Sequence, residues 1–237
     1  MKRIIDYQHK VLGALKGKVD EFYLAGGTAL SLFYFQHRLS VDLDFFTQDF
    51  SAVHVKAIIE YLANALKKNI KLIGQNNGKN KTARIMVYNI NLTPSEQLKI
   101  DFVEDFIKLM KKPREVEGIK ILSLEDIYLR KIYAIAGMIK AVEETGQAKF
   151  LGGRTEAKDF YDLYCLSHTF TPLSKFIDKY CDATMAEALI RWFRTYDRMN
   201  IVDGLLSLDT DKKIDTKNIE KHFTKEIDKI IEEQIGL

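Results

Sequence analysis

The alternation of apolar and polar residues divides the chain into a mixed first half and a helical second half. Up to about residue 105, runs with the two-residue period of a strand alternate with runs of helical period. Strands are predicted at EFYLAG, VDLDFF, TARIMVYNI and QLKIDFV, and helices at 3–15, 28–37 and 51–68. Beyond residue 122 the pattern predicts helices almost throughout, the first two at 123–143 and 154–167. The chain is therefore expected to be an α+β protein.

The charged stretch around Pro113, KKPREVEG, is the best candidate for a linker between the two halves. We therefore expect two domains, a mixed sheet in residues 1–113 and a helical domain in residues 114–237. Ser123 is followed three residues later by Asp126, a pattern similar to the capping box that opens a helix.

Composition and charge exclude several classes of protein. The 237 residues are 46% hydrophobic and 29% charged with 3 Pro, which is typical of globular chains and excludes disorder and collagen. The two cysteines, Cys165 and Cys181, are too few for a disulfide framework and predict reduced thiols. The sequence shows no signal peptide and no membrane-spanning run, so we expect a cytoplasmic protein without a membrane partner. A net charge of +3 restricts any nucleic-acid surface to a local patch.

Asp42 and Asp44 in VDLDFF are the first candidates for chemistry. Residues two apart on a strand point to the same face, so these two carboxylates emerge side by side. They repel each other unless a cation lies between them, and Mg²⁺ favours such oxygen ligands together with substrate phosphates. The alternative, and the commoner explanation for an isolated pair, is a polar strand facing solvent.

A third carboxylate, Asp101, lies on the polar face of another predicted strand, QLKIDFV. If the two strands are neighbours, three carboxylates converge above one sheet and can hold two metal ions. We therefore expect Asp42, Asp44 and Asp101 to bind Mg²⁺, with Mn²⁺ as the alternative metal. Taken alone, Asp101 would be interpreted as a surface residue.

Gly26 and Gly27 follow a predicted strand and precede a helix predicted to begin at Thr28. Glycines at such a turn let backbone N–H groups approach an anion, and a helix N-terminus favours negative charge. This arrangement suits a nucleoside triphosphate. A Gly-Gly pair is usually only a tight turn, and it is the order of strand, Gly-Gly, helix and aspartate-bearing strand that favours nucleotide binding.

The whole run GGTALSLFYFQHRLSVDLDFF resembles the signature of the AbiEii/AbiGii-type nucleotidyltransferases, a toxin branch of the DNA polymerase β-like superfamily. This branch adds an Arg-x-Ser element before the two aspartates, here Arg38 and Ser40. Two segments of the second half, SLEDIYLRK and RTEAKDFYDLY, are similar to later motifs of the family. The resemblance implies an N-terminal polymerase β-like nucleotidyltransferase mixed sheet flanked by helices, followed by a C-terminal helical bundle.

The resemblance also implies roles for individual residues. The expected catalytic residues are Asp42, Asp44, Asp101, Lys131 and Asp159. The expected nucleotide-binding residues are Gly26, Gly27, Thr28, Arg38, Ser40, Lys131, Lys158 and Asp162.

The residues of the second half also allow less specific explanations. Arg154, Lys158 and Asp162 are spaced by four, so within a helix they could form an ion-pair ladder. Lys131, in an otherwise apolar helix, either extends to solvent or points at an anion. With the first motif present we favour the anion, and we expect Lys131→Ala to weaken NTP binding more than folding.

Residues 61–95 contain no acidic residue, and their six basic residues are Lys67, Lys68, Lys71, Lys79, Lys81 and Arg84. This stretch could be the electrostatic footprint of an RNA acceptor, although a solvated surface loop is the commoner explanation. It joins the strands of Asp44 and Asp101 and should lie near the rim of the site. A second candidate face comprises Arg191, Arg194 and Arg198, where Glu187 offers an ordinary ion pair.

Two functions remain open from the sequence. The first is a metal-dependent nucleotidyltransferase, in which an acceptor hydroxyl attacks the α-phosphate of an NTP and pyrophosphate leaves. The resemblance implies a tRNA 3′ end as acceptor, and a toxin with a cognate antitoxin protein. The second is a non-enzymatic NTP-binding regulatory module on the same fold, against which the complete set of carboxylates counts.

Overall fold

The structure is a computed structural model that describes residues 2–78, 82–93, 96–137, 139–142, 148–151 and 153–235. The chain divides into two compact units, Met1–Asp126 and Ile127–Leu237. The domain boundary proposed from the sequence, after residue 113, falls earlier in the chain.

The first unit contains a mixed sheet with seven strands in the described residues. Its elements are α1 (Lys2–Leu15), β1 (Tyr23–Ala25), α2 (Gly26–Phe33), β2 (Asp42–Thr47), α3 (Ala52–Leu66), β3 (Ile70–Asn77), β4 (Arg84–Asn91), β5 (Gln97–Glu104), β6 (Arg114–Val116) and β7 (Ile119–Ile121). The strand order is β3-β4-β5-β2-β1-β7-β6. The pairs β2–β5 and β1–β7 are parallel, whereas the other neighbours are antiparallel.

The core of this unit lies against one face of the two central strands. Leu43 and Phe45 of β2 and Ile100 and Phe102 of β5 are completely buried. The rings of Phe45 and Phe102 stack with their centroids 5.6 Å apart. Burial of each such side chain contributes about 1.5–3 kcal/mol, and a slip of one residue would expose all four. The apolar face therefore determines that the intervening aspartates point the other way.

Three strands of this sheet are not predicted by the sequence pattern. β3 is an edge strand that is exposed along most of its length, so neither face has the apolar alternation that predicts a strand. β6 and β7 form a hairpin around Glu117 and Gly118, both of which have positive φ. Part of the stretch expected to be a linker thus belongs to the sheet.

The second unit is mainly helical, as predicted, and contains one additional hairpin. Its elements are α4 (Leu124–Ala136), which begins in the first unit, β8 (Ile139–Val142), β9 (Ala148–Leu151), α5 (Ala157–Thr169), α6 (Leu173–Tyr180), α7 (Ala183–Thr195), α8 (Arg198–Leu206) and α9 (Thr216–Ile235). The helices pack around aromatic side chains. Phe160 of α5 and Phe223 of α9 are buried with ring centroids 4.6 Å apart.

The helix predicted over residues 123–143 is wrong at its end. Its start agrees with the capping pattern, because the Asp126 N–H donates to Ser123 Oγ at 3.1 Å. The helix ends at Ala136, and Gly137 follows with φ +98°, a conformation that only glycine adopts readily. The chain then forms the hairpin of β8 and β9 instead of continuing the helix.

Among the helices described by the structure, none is long and apolar enough to cross a membrane.

Candidate active site

The sheet register shows that the two aspartate-bearing strands are neighbours, which is the condition for three carboxylates to converge. β2 and β5 pair in parallel, with Asp42 opposite Lys99 and Asp44 opposite Asp101. Residues in register on neighbouring strands point to the same face, so these four side chains share the face opposite the core. We call Asp42, Asp44 and Asp101 the carboxylate cluster.

Lys99 lies against this cluster and was not singled out by the sequence. Its Nζ donates to Asp101 Oδ2 at 3.0 Å and lies 3.5 Å from Asp42 Oδ2. Partial burial alone would lower the pKa of Lys99, but the hydrogen bond that Lys99 donates to Asp101 and the charges of all three carboxylates outweigh it, so the pKa is raised. The signal in the sequence was a lysine two residues before an aspartate on one strand.

The cluster as it stands is not a ready metal site. Within the described residues, no three His, Cys, Asp or Glu side chains are placed to hold one metal ion. The ammonium of Lys99 contacts two of the three expected ligands, Asp42 and Asp101. The donor chemistry nevertheless fits a hard divalent cation, because three carboxylates on one face outnumber the single lysine.

The Gly26-Gly27 turn brings backbone directly against the cluster. Gly26 has φ +68°, and a Cβ at this position would collide with Asp44 Oδ2. Ala25, the last residue of β1, lies opposite Asp44 in the pairing of β1 with β2. The turn that follows β1 therefore begins beside the Asp44 carboxylate. Helix α2 begins at Gly26, two residues earlier than predicted, and its first N–H groups therefore belong to the glycines. Glycine at this position satisfies both the backbone conformation and the close approach.

Gly27 has a separate steric reason to be glycine. A Cβ there would collide with Nη2 of Arg38 and would lie 3.1 Å from Ser40 Oγ. Arg38 is buried, and its Nη1 donates to the carbonyl of Leu39 at 3.0 Å. The Arg-x-Ser element, identified only by resemblance in the sequence, thus packs onto the Gly-Gly turn.

Thr28 connects the same two elements by hydrogen bonds. Its hydroxyl lies 2.9 Å from Ser40 Oγ and donates to the backbone carbonyl of Asp42. On the other side, Gln8 of α1 donates to the carbonyl of Ser40 at 2.7 Å. These contacts hold the segment that leads into β2, so the position of Asp42 depends on residues from three parts of the chain.

A second group of predicted residues comes together in the second unit. Lys131 Nζ lies 2.6 Å from both Asp159 Oδ1 and Asp162 Oδ2, and both carboxylates are completely buried. Arg154 Nε lies 2.5 Å from Asp159 Oδ2. Burial would raise the pKa of Asp159, but the charges of Lys131 and Arg154 outweigh burial and the pKa is lowered. We call these four residues the lysine cluster.

The ion-pair ladder considered for this segment is not formed. Arg154 precedes helix α5, which begins at Ala157 instead of residue 154, and its backbone N–H donates to the carbonyl of Ala134. Lys158 Nζ pairs with Glu156 at 3.0 Å on the exposed side of the chain. Lys158, a predicted nucleotide-binding residue, therefore belongs to neither cluster and forms an exposed ion pair instead.

The acid-free stretch from residue 61 to 95 is more ordered than a surface loop. Its described part completes α3 and forms β3 and β4, and β4 pairs with β5 beside the carboxylate cluster. Arg84 makes a bidentate ion pair with Glu104, whose oxygens lie 2.9 Å from Nε and 2.5 Å from Nη2. This pair links β4 to β5 and stabilises the sheet. Lys79 and Lys81 lie outside the described residues.

Comparison with known proteins finds one family model and solved structures that this chain is similar to. A family model described as "Nucleotidyl transferase AbiEii toxin, Type IV TA system" matches residues 11–236. The crystal structure of JHP933 from Helicobacter pylori is 18% identical, with 100% of this chain and 97% of that chain covered and a TM-score of 0.57. A proposed nucleotidyltransferase from H. pylori is also 18% identical, with 98% of each chain covered and a TM-score of 0.59.

At this level of identity the two structures show a shared fold. No curated protein sequence matches the chain. The family model covers nearly all of the sequence, and the chain accordingly belongs to the AbiEii family of nucleotidyltransferase toxins of type IV toxin–antitoxin systems.

Proposed function

We propose that this protein is a metal-dependent nucleotidyltransferase that transfers a nucleotide from an NTP to an RNA hydroxyl, most simply a tRNA 3′ end, and releases pyrophosphate. A cognate antitoxin protein would restrain it. The observation that carries the proposal is the register of β2 and β5, which places Asp44 opposite Asp101 on the face of Asp42 and beside the Gly26-Gly27 turn.

Each element of the site has a role in this reaction. The first N–H groups of α2 have no partner within the helix and belong to two glycines, so this turn would be suited to the triphosphate. Mg²⁺, or Mn²⁺ in its place, would be held by Asp42, Asp44 and Asp101 and would supply neutralisation of the phosphate charge.

Asp101 is assigned the role of general base for the acceptor hydroxyl. As the acceptor oxygen forms its bond to the α-phosphorus and the bond to pyrophosphate breaks, Asp101 accepts the hydroxyl proton and later returns it to solvent. Arg38, Ser40 and Thr28 act through the hydrogen bonds and packing that position the turn and the start of β2.

Lys131 and Asp159 are proposed as catalytic residues, with Asp162 and Lys158 in nucleotide binding. The ammonium of Lys131 is already paired with two buried carboxylates. Binding a phosphate oxygen would therefore require Lys131 to exchange one of these partners.

The test of the function is incubation of the protein with Mg²⁺, each of four α-labelled NTPs and total tRNA. We expect label on RNA and an equal amount of pyrophosphate. Release of NDP with phosphate on the acceptor would indicate γ-phosphoryl transfer instead. Clear NTP binding without any labelled product would favour the regulatory-module alternative.

RNA modification is also expected to depend on the basic residues of the acid-free stretch. Reversal of Lys79 and Lys81 to Glu should lower RNA modification by about tenfold or more, because each lost phosphate contact removes counterion release. Affinity for free NTP should not change. Arg84 is left intact because its reversal would oppose Glu104 and disturb the sheet. Activity is measured across a salt series, and the wild-type rate should fall as salt rises.

The matched control reverses Lys212 and Lys213, an exposed basic pair in the second unit. Equal losses in both double variants would indicate a general effect of net charge. Full RNA modification by the Lys79/Lys81 variant would instead direct attention to Arg191 and Arg194, since Arg198 is paired with Glu220 at 2.9 Å.

A further inference from the structure

We propose that Lys99 is the resident counter-cation of the carboxylate cluster, that its ammonium stands in for a divalent cation in the metal-free protein, and that a bound cation displaces it. This inference rests on the proposed function only in treating the three carboxylates as metal ligands.

The sheet places Lys99 next to two of the carboxylates. It lies in register with Asp42 and two residues before Asp101, so it is a neighbour of one carboxylate across the strands and of the other along its own strand. Its ammonium contacts both, at 3.5 and 3.0 Å, and interacts electrostatically with Asp44. A single ammonium thus contacts two members of the cluster and lies close enough to the third to feel its charge.

The charge of the carboxylate cluster favours a nearby cation. Three carboxylates on one face of adjacent strands repel each other, and like charges directly opposite each other destabilise a sheet. Lys99 offsets one of the three charges, and the cluster keeps a net negative charge that attracts further cations. The lysine therefore stabilises the metal-free sheet without neutralising the site.

The ammonium of Lys99 is able to move away from the cluster. Its side chain is 37% exposed, compared with 15% for Asp101, and it ends a flexible four-carbon stem. An ammonium and a divalent cation at the same carboxylate oxygens repel each other, so each weakens the binding of the other. Cation binding must therefore move the ammonium toward solvent, and Lys99 lowers the affinity of the nucleotide-free protein for the metal.

The experiment measures Mn²⁺ binding to the full, nucleotide-free chain by the loss of the free Mn²⁺ electron paramagnetic resonance signal. Lys99→Met removes the charge and keeps an unbranched stem, and should bind Mn²⁺ about tenfold or more tightly than the wild type. Lys99→Arg keeps the charge and should bind within about twofold of the wild type. The matched control is Lys71→Met. In the sheet register, Lys71 of β3 lies opposite Asn89 of β4, and Asn89 lies opposite Lys99 of β5.

Lys71 lies on the same face two strands away, about 10 Å from Lys99 in the sheet, so its removal should change Mn²⁺ affinity little. Unchanged affinity in Lys99→Met, or an equal rise in Lys71→Met, would overturn the inference. The melting temperature supplies a second measurement. Without metal Lys99→Met should melt below the wild type, and saturating Mn²⁺ should raise its Tm by more than it raises the wild-type Tm.

A Lys99→Met protein that remains unfolded in saturating Mn²⁺ would also overturn the inference, because the lysine would then be needed for more than its charge. These outcomes are independent of catalysis. Tighter Mn²⁺ binding by Lys99→Met in a protein that transfers no nucleotide would refute the proposed function alone, and transfer with unchanged Mn²⁺ affinity would refute this inference alone.

Discussion

Asp44→Asn is expected to abolish nucleotide transfer and to leave the protein as stable as the wild type or slightly more stable. The substitution removes a proposed metal ligand, whose loss should lower the rate by about a thousandfold or more. It also removes a negative charge opposite Asp101, so the folded protein loses a repulsion. Single-turnover transfer and thermal unfolding measure the two effects, and Asp42→Asn or Ala substitutions at either position should behave similarly in transfer.

The control is Asp49→Asn, an exposed aspartate just beyond the end of β2. It removes the same charge from the same region without touching the cluster, and it should retain transfer. Transfer at the wild-type rate by Asp44→Asn would show that the metal-site assignment is wrong. A large loss of stability would show that Asp44 is needed by the fold instead.

Lys131→Met is expected to lower the free energy of unfolding by about 3–5 kcal/mol, because it leaves two buried carboxylates with one fewer cation. Asp159 keeps Arg154, whereas Asp162 loses the lysine that lies 2.6 Å away. The sequence alone predicts a larger effect on NTP binding than on folding, and the buried ion pairs reverse that order. Urea denaturation at pH 7 measures the loss.

The loss of stability in Lys131→Met should depend on pH, and the lowered pKa of Asp159 gives the direction. A carboxyl with a lowered folded-state pKa contributes stability above its usual value of 3.8, and this contribution is lost as the pH falls through the folded-state pKa. The difference between wild type and Lys131→Met should therefore shrink as the solution is acidified below pH 4.

A double variant, Lys131→Met with Asp162→Asn, is the matched control, because it removes one positive and one negative buried charge together. It should recover a substantial part of the lost stability. Wild-type stability in Lys131→Met, combined with a ten- to hundredfold loss of NTP affinity, would show that the lysine serves phosphate binding more than the fold.

Local patterns in the sequence predict much of the carboxylate cluster because a strand has a strict two-residue period. Once Leu43 and Phe45 are assigned to the core, Asp42 and Asp44 must point away from it. The same argument applies to Asp101. The Gly-Gly turn is recognisable because few other features place two glycines between a buried strand and a helix.

Short and exposed elements are harder to predict from the sequence, since their residues carry little periodic signal. β3 lies at the sheet edge with both faces largely in solvent, and β6 has only three residues. The end of α4 depends on the positive φ of Gly137, and a single glycine in a helical pattern does not predict that conformation.

By itself, the sequence determined the faces of the central strands, the order of the motifs and the identity of the acidic residues, because these depend on local periodicity and on chemistry carried by single side chains. Only the tertiary structure decided which distant residues meet. It placed Lys99 against Asp42, Arg38 against Gly27, and Lys131 between two buried aspartates. The physical reason is that an ion pair or a steric contact depends on the distance between residues that are remote in the chain, and that distance is set by strand register and helix packing, which no local pattern encodes.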